Sequence, residues 1–227
     1  MSDNYRKNCF KKILDASSVY DIAIKSPVQF APKLSSKLKN RIYIKREDLQ
    51  PVFSFKLRGA YNKISKIKNP NHIVAASAGN HAQGVALTCK KLKLNSTIVM
   101  PLTTPSIKVN AVKKHGTKII LHGDTYDEAY QYAIKYSKKH NFNFVHPYDD
   151  MDVIAGQGTI GIEILDQLKE HPDYIFIPVG GGGLLAGISV YLKTINPKIK
   201  IVAVEAEDSA CFNLACQTGK PTSLKHV

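Results

Sequence analysis

A run of four glycines offers the clearest site for an anion in this chain. Residues 174–179 before it are apolar and partly β-branched, which predicts a buried strand. Gly180 to Gly183 follow directly, and residues 184–192 carry the apolar spacing of a helix. In a strand–turn–helix unit the first N–H groups of the helix are free, and glycines let a phosphate approach them. The sequence therefore favours anion binding here over a purely structural tight turn.

Two classes of phosphate ligand fit this turn. Gly181, Gly183 and Ala186 match the G-x-G-x-x-G/A pattern of dinucleotide sites. Glu205, after the next predicted strand, lies near the distance at which such sites place an acidic residue. No Gly-Lys-Ser/Thr sequence follows the glycines, so the pattern of a P-loop is absent. The glycine run alone leaves open both an NAD-type dinucleotide and another phosphate ligand.

Lys56 is the candidate for a reactive amine. It stands between Phe55 and Leu57 where a helix is predicted to begin, with Ser54 as the expected N-cap. An apolar setting disfavours the ammonium form, lowers the pKa of a lysine and frees its amine for Schiff-base chemistry. Because lysines are abundant along the whole chain, the position alone also fits a solvated surface lysine.

The stretch Ser77-Ala78-Gly79-Asn80-His81 is a third candidate. It follows a predicted strand and opens a predicted helix, so its N–H groups could bind a carboxylate. The Asn80 amide could bond a ring hydroxyl, although simple helix capping by Ser77 or Asn80 explains the same residues on local grounds. An amine, a phosphate cradle and a carboxylate cradle together suit pyridoxal phosphate and an amino acid.

Strands and helices alternate along most of the chain, which predicts an α/β fold with parallel sheets covered on both faces. The three candidate stretches lie at the carboxyl ends of strands, where such sheets bind ligands, so we expect them to converge on one crevice. The expected strands are 41–47, 72–76, 96–100, 117–121, 143–146, 174–179 and 199–204, and the expected helices are 3–25, 54–67, 80–92, 105–115, 125–140, 156–169, 184–192 and 209–217.

Five stretches, in order, resemble fold-type II pyridoxal-phosphate enzymes of the tryptophan synthase β-like fold, and among them the biosynthetic threonine dehydratases (threonine deaminases). The sequence Pro51-Val52-Phe53 favours these over the related catabolic enzymes and serine racemases, which usually have Thr-Gly before the same Ser-Phe-Lys. The stretches are 45–60 (KREDLQPVFSFKLRGA), 77–84 (SAGNHAQG), 154–159 (IAGQGT), 178–187 (PVGGGGLLAG) and 204–210 (VEAEDSA).

The resemblance implies a role for each candidate residue. Lys56 is implied as the catalytic lysine that holds pyridoxal phosphate, with Phe55 flanking the ring and Asn80 bonding its hydroxyl. The cofactor phosphate is implied at Gly180, Gly181, Gly182, Gly183 and the N–H of Leu184, and the substrate carboxylate at Ser77, Gly79 and His81. The implied reaction converts L-threonine to 2-oxobutanoate and ammonia, a step of isoleucine biosynthesis; serine is a possible second substrate.

The resemblance also implies a domain organisation. Residues 70–146 would form a small α/β domain inserted into a larger cofactor-binding domain made of 1–69 and 147–227. The family's partner for the pyridine nitrogen, its last large-domain strands and its C-terminal regulatory domain lie beyond residue 227. We therefore expect a truncated large domain, a poor catalyst, and either a homo-oligomer or a separate C-terminal half as partner.

Composition narrows the function classes. The formal net charge is +14, but only four basic residues are arginines and the lysines are scattered, which favours a solvated surface over a nucleic-acid site. No apolar run is long enough to span a membrane, and the N-terminus lacks a secretory signal. The four cysteines and eight histidines show no metal-ligand spacing. We expect a cytoplasmic protein with reduced thiols, without metal and without a nucleic-acid partner.

Three classes of function remain open. A threonine-dehydratase-type lyase, with a serine/threonine dehydratase or serine racemase as a variant of the same family, accounts for all three candidate stretches. A dinucleotide-binding oxidoreductase accounts for the glycine run but leaves Lys56 and residues 77–81 unexplained. A basic interaction protein without chemistry is the third class.

Overall fold

A computed structural model describes residues 3–222 and contains three sheets within them. The strands are β1 (Val28–Phe30), β2 (Tyr43–Lys45), β3 (Ile73–Ala76), β4 (Ser96–Met100), β5 (Lys118–Leu121), β6 (Asn143–Phe144), β7 (Tyr174–Pro178) and β8 (Lys200–Val204). The helices are α1 (Asp3–Leu14), α2 (Pro32–Leu38), α3 (Lys56–Ile64), α4 (Asn80–Leu92), α5 (Ser106–Lys113), α6 (Tyr126–His140), α7 (Met151–Gln167), α8 (Gly183–Ile195) and α9 (Cys211–Thr218). Short 3₁₀ turns lie at Ser17–Asp21, Glu47–Leu49 and Glu207–Ser209.

The central sheet is parallel, in the order β5-β4-β3-β6. Every residue of β3 and β4 is buried, as their continuous apolar sequences predict for strands covered on both faces. Ile73 and Ala75 face a core shared with α4, whereas Val74 and Ala76 face a second core beside α6. The alternation of side chains along a strand thus packs one helix layer on each face of this sheet.

The strands β7 and β8 form a separate parallel pair. One face packs on α7 and α8 through a core that includes Ile177, Ile188 and Leu192. On the same pair Phe176 is 66% exposed and Val204 is 46% exposed. Within residues 3–222 this sheet is therefore covered on one face only, in contrast to the central sheet.

A buried ionic network joins β2, α3 and α7. The Arg58 guanidinium, which is fully buried, donates to Glu163 at 2.6 Å and to Glu47 at 2.8 Å. Lys45 donates to the second oxygen of Glu163 at 2.5 Å, and the Tyr20 hydroxyl donates to the first at 2.7 Å. Removal of one partner would leave a buried charge unpaired, so this network fixes the start of α3 in place.

The expectation of an α/β fold with parallel sheets is confirmed from β3 onward, but the N-terminal part differs. The chain from 3 to 25 is not one helix: α1 ends at Leu14 and a 3₁₀ turn follows from Ser17 to Asp21. The predicted strand 41–47 is shorter, and it pairs antiparallel with β1, a strand that the sequence pattern did not predict. Helix α2, with Pro32 at its first position, was not predicted either.

Two helix starts also differ. Helix α3 begins at Lys56 with Phe55 at the N-cap, so the expected N-cap Ser54 is one residue early; its Oγ accepts from the Lys56 N–H at 3.1 Å. Helix α7 begins five residues before the predicted Gly156, because the Asp150 carboxylate accepts from the Asp152 and Val153 N–H groups and caps it. Along the described part of the chain, no helix is both long and apolar enough to cross a bilayer.

Candidate active site

Lys56 lies at the first position of α3 in a largely buried setting. Its Nζ donates to the Pro147 carbonyl oxygen at 2.9 Å and lies 5.5 Å from the centroid of the Phe55 ring. Burial lowers the pKa of Lys56 to about 8. No carboxylate within residues 3–222 forms an ion pair with it. The amine is thus held without a counter-ion, as expected for a lysine that works as a nucleophile or base near neutral pH.

Helix α4 packs directly against the start of α3. A Cβ built on Gly84 would lie 3.2 Å from the carbonyl carbon and oxygen of Lys56, so only glycine allows this approach without displacement. The turn before α4 is closed by Ser77, whose Oγ accepts from the Gly79 N–H at 3.1 Å. Asn80 opens the helix with an exposed side chain. The structure therefore brings residues 77–81 next to Lys56.

The glycine run adopts the geometry of an open turn before α8. Gly182 has φ +84°, in the left-handed region, and it is the N-cap of α8. Side chains added at Gly180 or Gly182 would meet no atom within 4 Å. Added side chains at Gly181 and Gly183 would instead overlap Tyr148, at its ring and its carbonyl oxygen respectively. Two glycines thus face open space, and the other two make room for a tyrosine.

Residues 145–148 connect the three candidate stretches. Val145 O accepts from the His81 ring at 3.1 Å and Pro147 O accepts from Lys56, while Tyr148 lies on the glycine run. The sequence patterns did not predict these residues as part of a site. Their signal was present as His-Pro-Tyr-Asp-Asp after a predicted strand, at the carboxyl edge where parallel sheets bind ligands.

Two of the helices that begin near Lys56, α4 and α8, have no side-chain cap at their N-termini. Both have glycine at the N-cap, without a side-chain hydrogen bond. By contrast α6 is capped by Thr125 in a complete capping box, and α7 is capped by Asp150. Free N–H groups at the positive end of a helix favour an anion, so α4 and α8 offer two such positions.

The remaining predicted cofactor contacts are apolar. Phe55 and Leu184 are partly buried and pack against the core formed by α7, α8, β7 and β8. Phe55 thus stands beside Lys56 on one side and on the same core as the start of α8 on the other.

Glu205 does not face the glycine run as a dinucleotide site requires. Its carboxylate accepts from the Phe212 N–H at 2.9 Å and the Asn213 N–H at 2.8 Å. It therefore caps α9 and has its acceptors engaged there. This placement weakens the dinucleotide alternative. Among the described residues, no group of His, Cys, Asp or Glu side chains has the arrangement of a metal site.

Comparison with known proteins identifies relatives over nearly the whole chain. A family model described as pyridoxal-phosphate dependent enzyme matches residues 19–227. The biosynthetic L-threonine dehydratase IlvA of Haemophilus influenzae is 52% identical over 214 residues, which cover 93% of this chain and 42% of the relative.

Solved structures agree. The processed form of threonine deaminase isoform 2 from Solanum lycopersicum superposes with a TM-score of 0.95 at 47% identity. The match covers 100% of this chain and 63% of the tomato chain. Maize serine racemase superposes with a TM-score of 0.90 at 30% identity, and the match covers 95% of this chain and 67% of the maize chain. The chain thus spans about two fifths of the curated relative's length. On the extent of these matches, the chain belongs to the pyridoxal-phosphate dependent enzyme family.

Proposed function

We propose that this chain takes part in the pyridoxal-phosphate dependent conversion of L-threonine to 2-oxobutanoate and ammonia. The observation that carries the proposal is Lys56, a buried amine without a counter-ion at the start of α3. Its Pro147 partner adjoins Tyr148, which lies on the glycine turn. Two consecutive residues, Pro147 and Tyr148, thus contact the Lys56 amine and the glycine turn respectively.

The residues present fit the cofactor of the family. Gly180 and Gly182 leave open space in front of the uncapped start of α8, which suits a phosphate approached by backbone N–H groups. The lowered pKa of Lys56, to about 8, suits an amine that must add to an aldehyde. Gly180–Gly183 and the N–H of Leu184 would hold the phosphate, Lys56 would hold the aldehyde carbon, and Phe55 and Asn80 would contact the ring.

When bound, pyridoxal phosphate supplies an electron sink for the electrons of a broken Cα–H bond. Lys56 would hold the cofactor, and its amine, when not bonded to the cofactor, would be suited to take the proton from the substrate Cα, because an amine with a pKa near 8 both accepts and releases protons around neutral pH. Ser77, Gly79 and the N–H of His81 orient the substrate carboxylate at the positive end of α4.

Threonine is our preferred substrate over serine, and dehydration our preferred reaction over racemisation. The threonine dehydratase of Haemophilus influenzae is 52% identical and threonine deaminase isoform 2 of Solanum lycopersicum is 47% identical, against 30% for maize serine racemase. The Pro51-Val52-Phe53 sequence before the lysine motif supports the same choice. We infer that the product serves isoleucine biosynthesis, as the word biosynthetic in the relatives' names suggests.

The domain division and the surroundings of the protein are further proposals. The central sheet, from Ile73 to Phe144, supports a small domain at 70–146 between the two parts of a larger one, whose predicted ends at 1–2 and 223–227 lie outside the described residues. Four free cysteines support a reducing, cytoplasmic location. The exposed face of the β7–β8 pair supports an association, either with another copy or with a C-terminal half.

The test begins with reconstitution of the 227-residue chain with pyridoxal phosphate. We expect a visible absorbance band and a borohydride-stable adduct on Lys56 by mass spectrometry. We expect the chain alone to release 2-oxobutanoate from threonine slowly, and faster once a C-terminal half from a related enzyme is added. A Lys56→Ala variant should lose all three signals. Lys66→Ala, which removes an exposed lysine just after the same helix, is the matched control and should retain them. An adduct on another lysine, or a band that survives Lys56→Ala, would contradict the proposal.

A further inference from the structure

The histidine of the segment 145–148 accepts backbone hydrogen bonds through its ring. His146 Nδ1 accepts from the Asp149 N–H at 2.8 Å and from the Tyr148 N–H at 3.3 Å. An N–H can only donate, so Nδ1 carries no proton and Nε2 holds the proton of the neutral ring. A side-chain acceptor two and three residues ahead of the N–H groups is the arrangement of an Asx turn, here built by an imidazole. His146 thus closes a turn over residues 146–149.

The His146 ring is suited to accept because it is neutral. Burial lowers its pKa against the opposing effect of the Asp149 and Asp150 carboxylates, and the charge of Lys56 adds to the lowering. A protonated imidazole donates from both nitrogens, so it would have to release the two N–H groups. At neutral pH Nδ1 therefore stays available to the turn.

The closed turn carries the two groups through which this segment contacts the candidate site. The Pro147 carbonyl oxygen accepts from Lys56 Nζ at 2.9 Å. The Tyr148 ring lies against the backbone of Gly181, and the Tyr148 carbonyl oxygen would lie 2.8 Å from a Cβ at Gly183. A residue that holds the backbone of this turn therefore sets the positions of the Pro147 carbonyl and the Tyr148 ring.

Two features of His146 could hold the turn, its acceptor and its ring. The ring meets the Tyr148 ring edge to face at 4.7 Å between centroids, and the Tyr130 ring at 5.8 Å. The two ends of the segment are fixed separately, because Val145 donates its N–H to β3 and Asp150 caps α7. Loss of the acceptor should therefore loosen the turn and leave its ends in place.

We propose that His146 is a positioning residue, whose Nδ1 fixes the 146–149 turn and thereby places the Pro147 carbonyl and the Tyr148 ring in the candidate site. For the cofactor, this inference rests on the proposed function. His146 acts through its two neighbours: Pro147 bonds the Lys56 amine that would hold the cofactor, and Tyr148 borders the glycine run that would hold its phosphate. Loss of the acceptor should weaken attachment of pyridoxal phosphate, although it changes none of the residues proposed to contact the cofactor.

Two variants separate the acceptor from the ring. His146→Phe keeps a ring for Tyr148 and Tyr130 but has no acceptor, whereas His146→Asn loses the ring and offers Oδ1, which is bonded to Cγ as Nδ1 is. The first measurement is hydrogen exchange of the Asp149 amide, by NMR, in the cofactor-free chain. We expect exchange at least about 10-fold faster than wild type in His146→Phe, and within about threefold of wild type in His146→Asn. Nitrogen-15 spectra of the wild type should show His146 protonated at Nε2.

The second measurement is titration of the full chain with pyridoxal phosphate, followed by borohydride trapping on Lys56. His146→Phe should bind about 10-fold more weakly than the wild type, as loss of one buried hydrogen bond implies. His146→Asn should stay within about threefold of the wild type. His140→Phe, which changes an exposed histidine of α6, is the control and should alter neither measurement.

Three results would each overturn the inference: unchanged amide exchange or unchanged cofactor binding in His146→Phe, equal weakening in both variants, or a wild type protonated at Nδ1. Weaker binding in His146→Asn alone would assign the turn to ring packing and would overturn it as well. If the wild type forms no adduct while exchange of the Asp149 amide still follows the acceptor, the proposed function fails and the role of His146 in the turn stands.

Discussion

The chain contains two strand–turn–helix units that meet at the candidate site, and they are built in different ways. The first runs from β3 through residues 77–79 into α4, and the second from β7 through residues 179–182 into α8. In the first, β3 lies between β4 and β6 and is fully buried. In the second, β7 pairs with β8 alone among the described residues and keeps Phe176 66% exposed.

The difference shows which features of such a unit are local. Both helices begin after a glycine N-cap without a side-chain bond, and both present free N–H groups at the carboxyl end of a strand. The glycine N-cap at the start of the helix is therefore common to both units, although the burial of the strands differs. Stability and ligand binding should respond to mutation separately, and three predictions probe that separation.

The largest effect is expected from truncation of a buried strand residue. Ile73→Ala in β3 removes a side chain that is 0% exposed, and the cavity should lower the free energy of unfolding by about 2–5 kcal/mol. Phe176→Ala in β7 is the comparison, and in the monomeric chain it should change the free energy of unfolding by no more than about 0.5 kcal/mol. Urea denaturation of both variants measures the two values. Equal losses would mean that the outer face of β7 is covered in solution.

An intermediate effect is expected within the glycine run. An alanine side chain at Gly181 would overlap the Tyr148 ring, so Gly181→Ala should destabilise the cofactor-free chain by about 1–3 kcal/mol. Gly180→Ala meets open space and should leave stability unchanged. It should weaken binding of pyridoxal phosphate but not of pyridoxal, which lacks the phosphate, in absorbance titrations. If Gly180→Ala weakened the binding of both ligands equally, the assignment of the phosphate to this turn would be wrong.

The smallest effect concerns pH. Burial holds the pKa of Lys56 at about 8 in the folded chain, below the pKa of an exposed lysine. Near and above pH 8, Lys56 therefore carries a proton more often in the unfolded chain than in the folded chain. The free energy of unfolding should therefore rise with pH, by about 0.8 kcal/mol between about pH 7 and pH 8.5. Lys56→Met should remove that rise, which urea denaturation at each pH would detect. If the free energy of unfolding depended on pH in the same way in the wild type and in Lys56→Met, the lowered pKa of Lys56 would be contradicted.

Part of the site could be predicted from sequence because its signals are local. The glycine run and the turn at residues 77–81 were placed correctly at the ends of strands, and Lys56 was placed correctly at a helix start, since turn chemistry depends on neighbouring residues. Lys56 does not directly follow a strand, however, because β2 ends at Lys45. The parallel sheets followed from the alternation of strand and helix patterns. By contrast Ser54 was placed one residue off as a cap, and the pairing of β1 with β2 was missed, because three-residue strands leave too short a pattern.

The sequence by itself determined which chemistry this chain can support: an amine in an apolar setting and two backbone cradles for anions, each written in consecutive residues. Only the tertiary structure decided how these groups meet. Residues 145–148 touch all three stretches, Tyr148 lies where side chains at two of the four glycines would be, and the His81 ring is held by the Val145 carbonyl oxygen. These features depend on contacts between residues far apart in the chain, and such contacts are set by packing, on which local propensity carries no information.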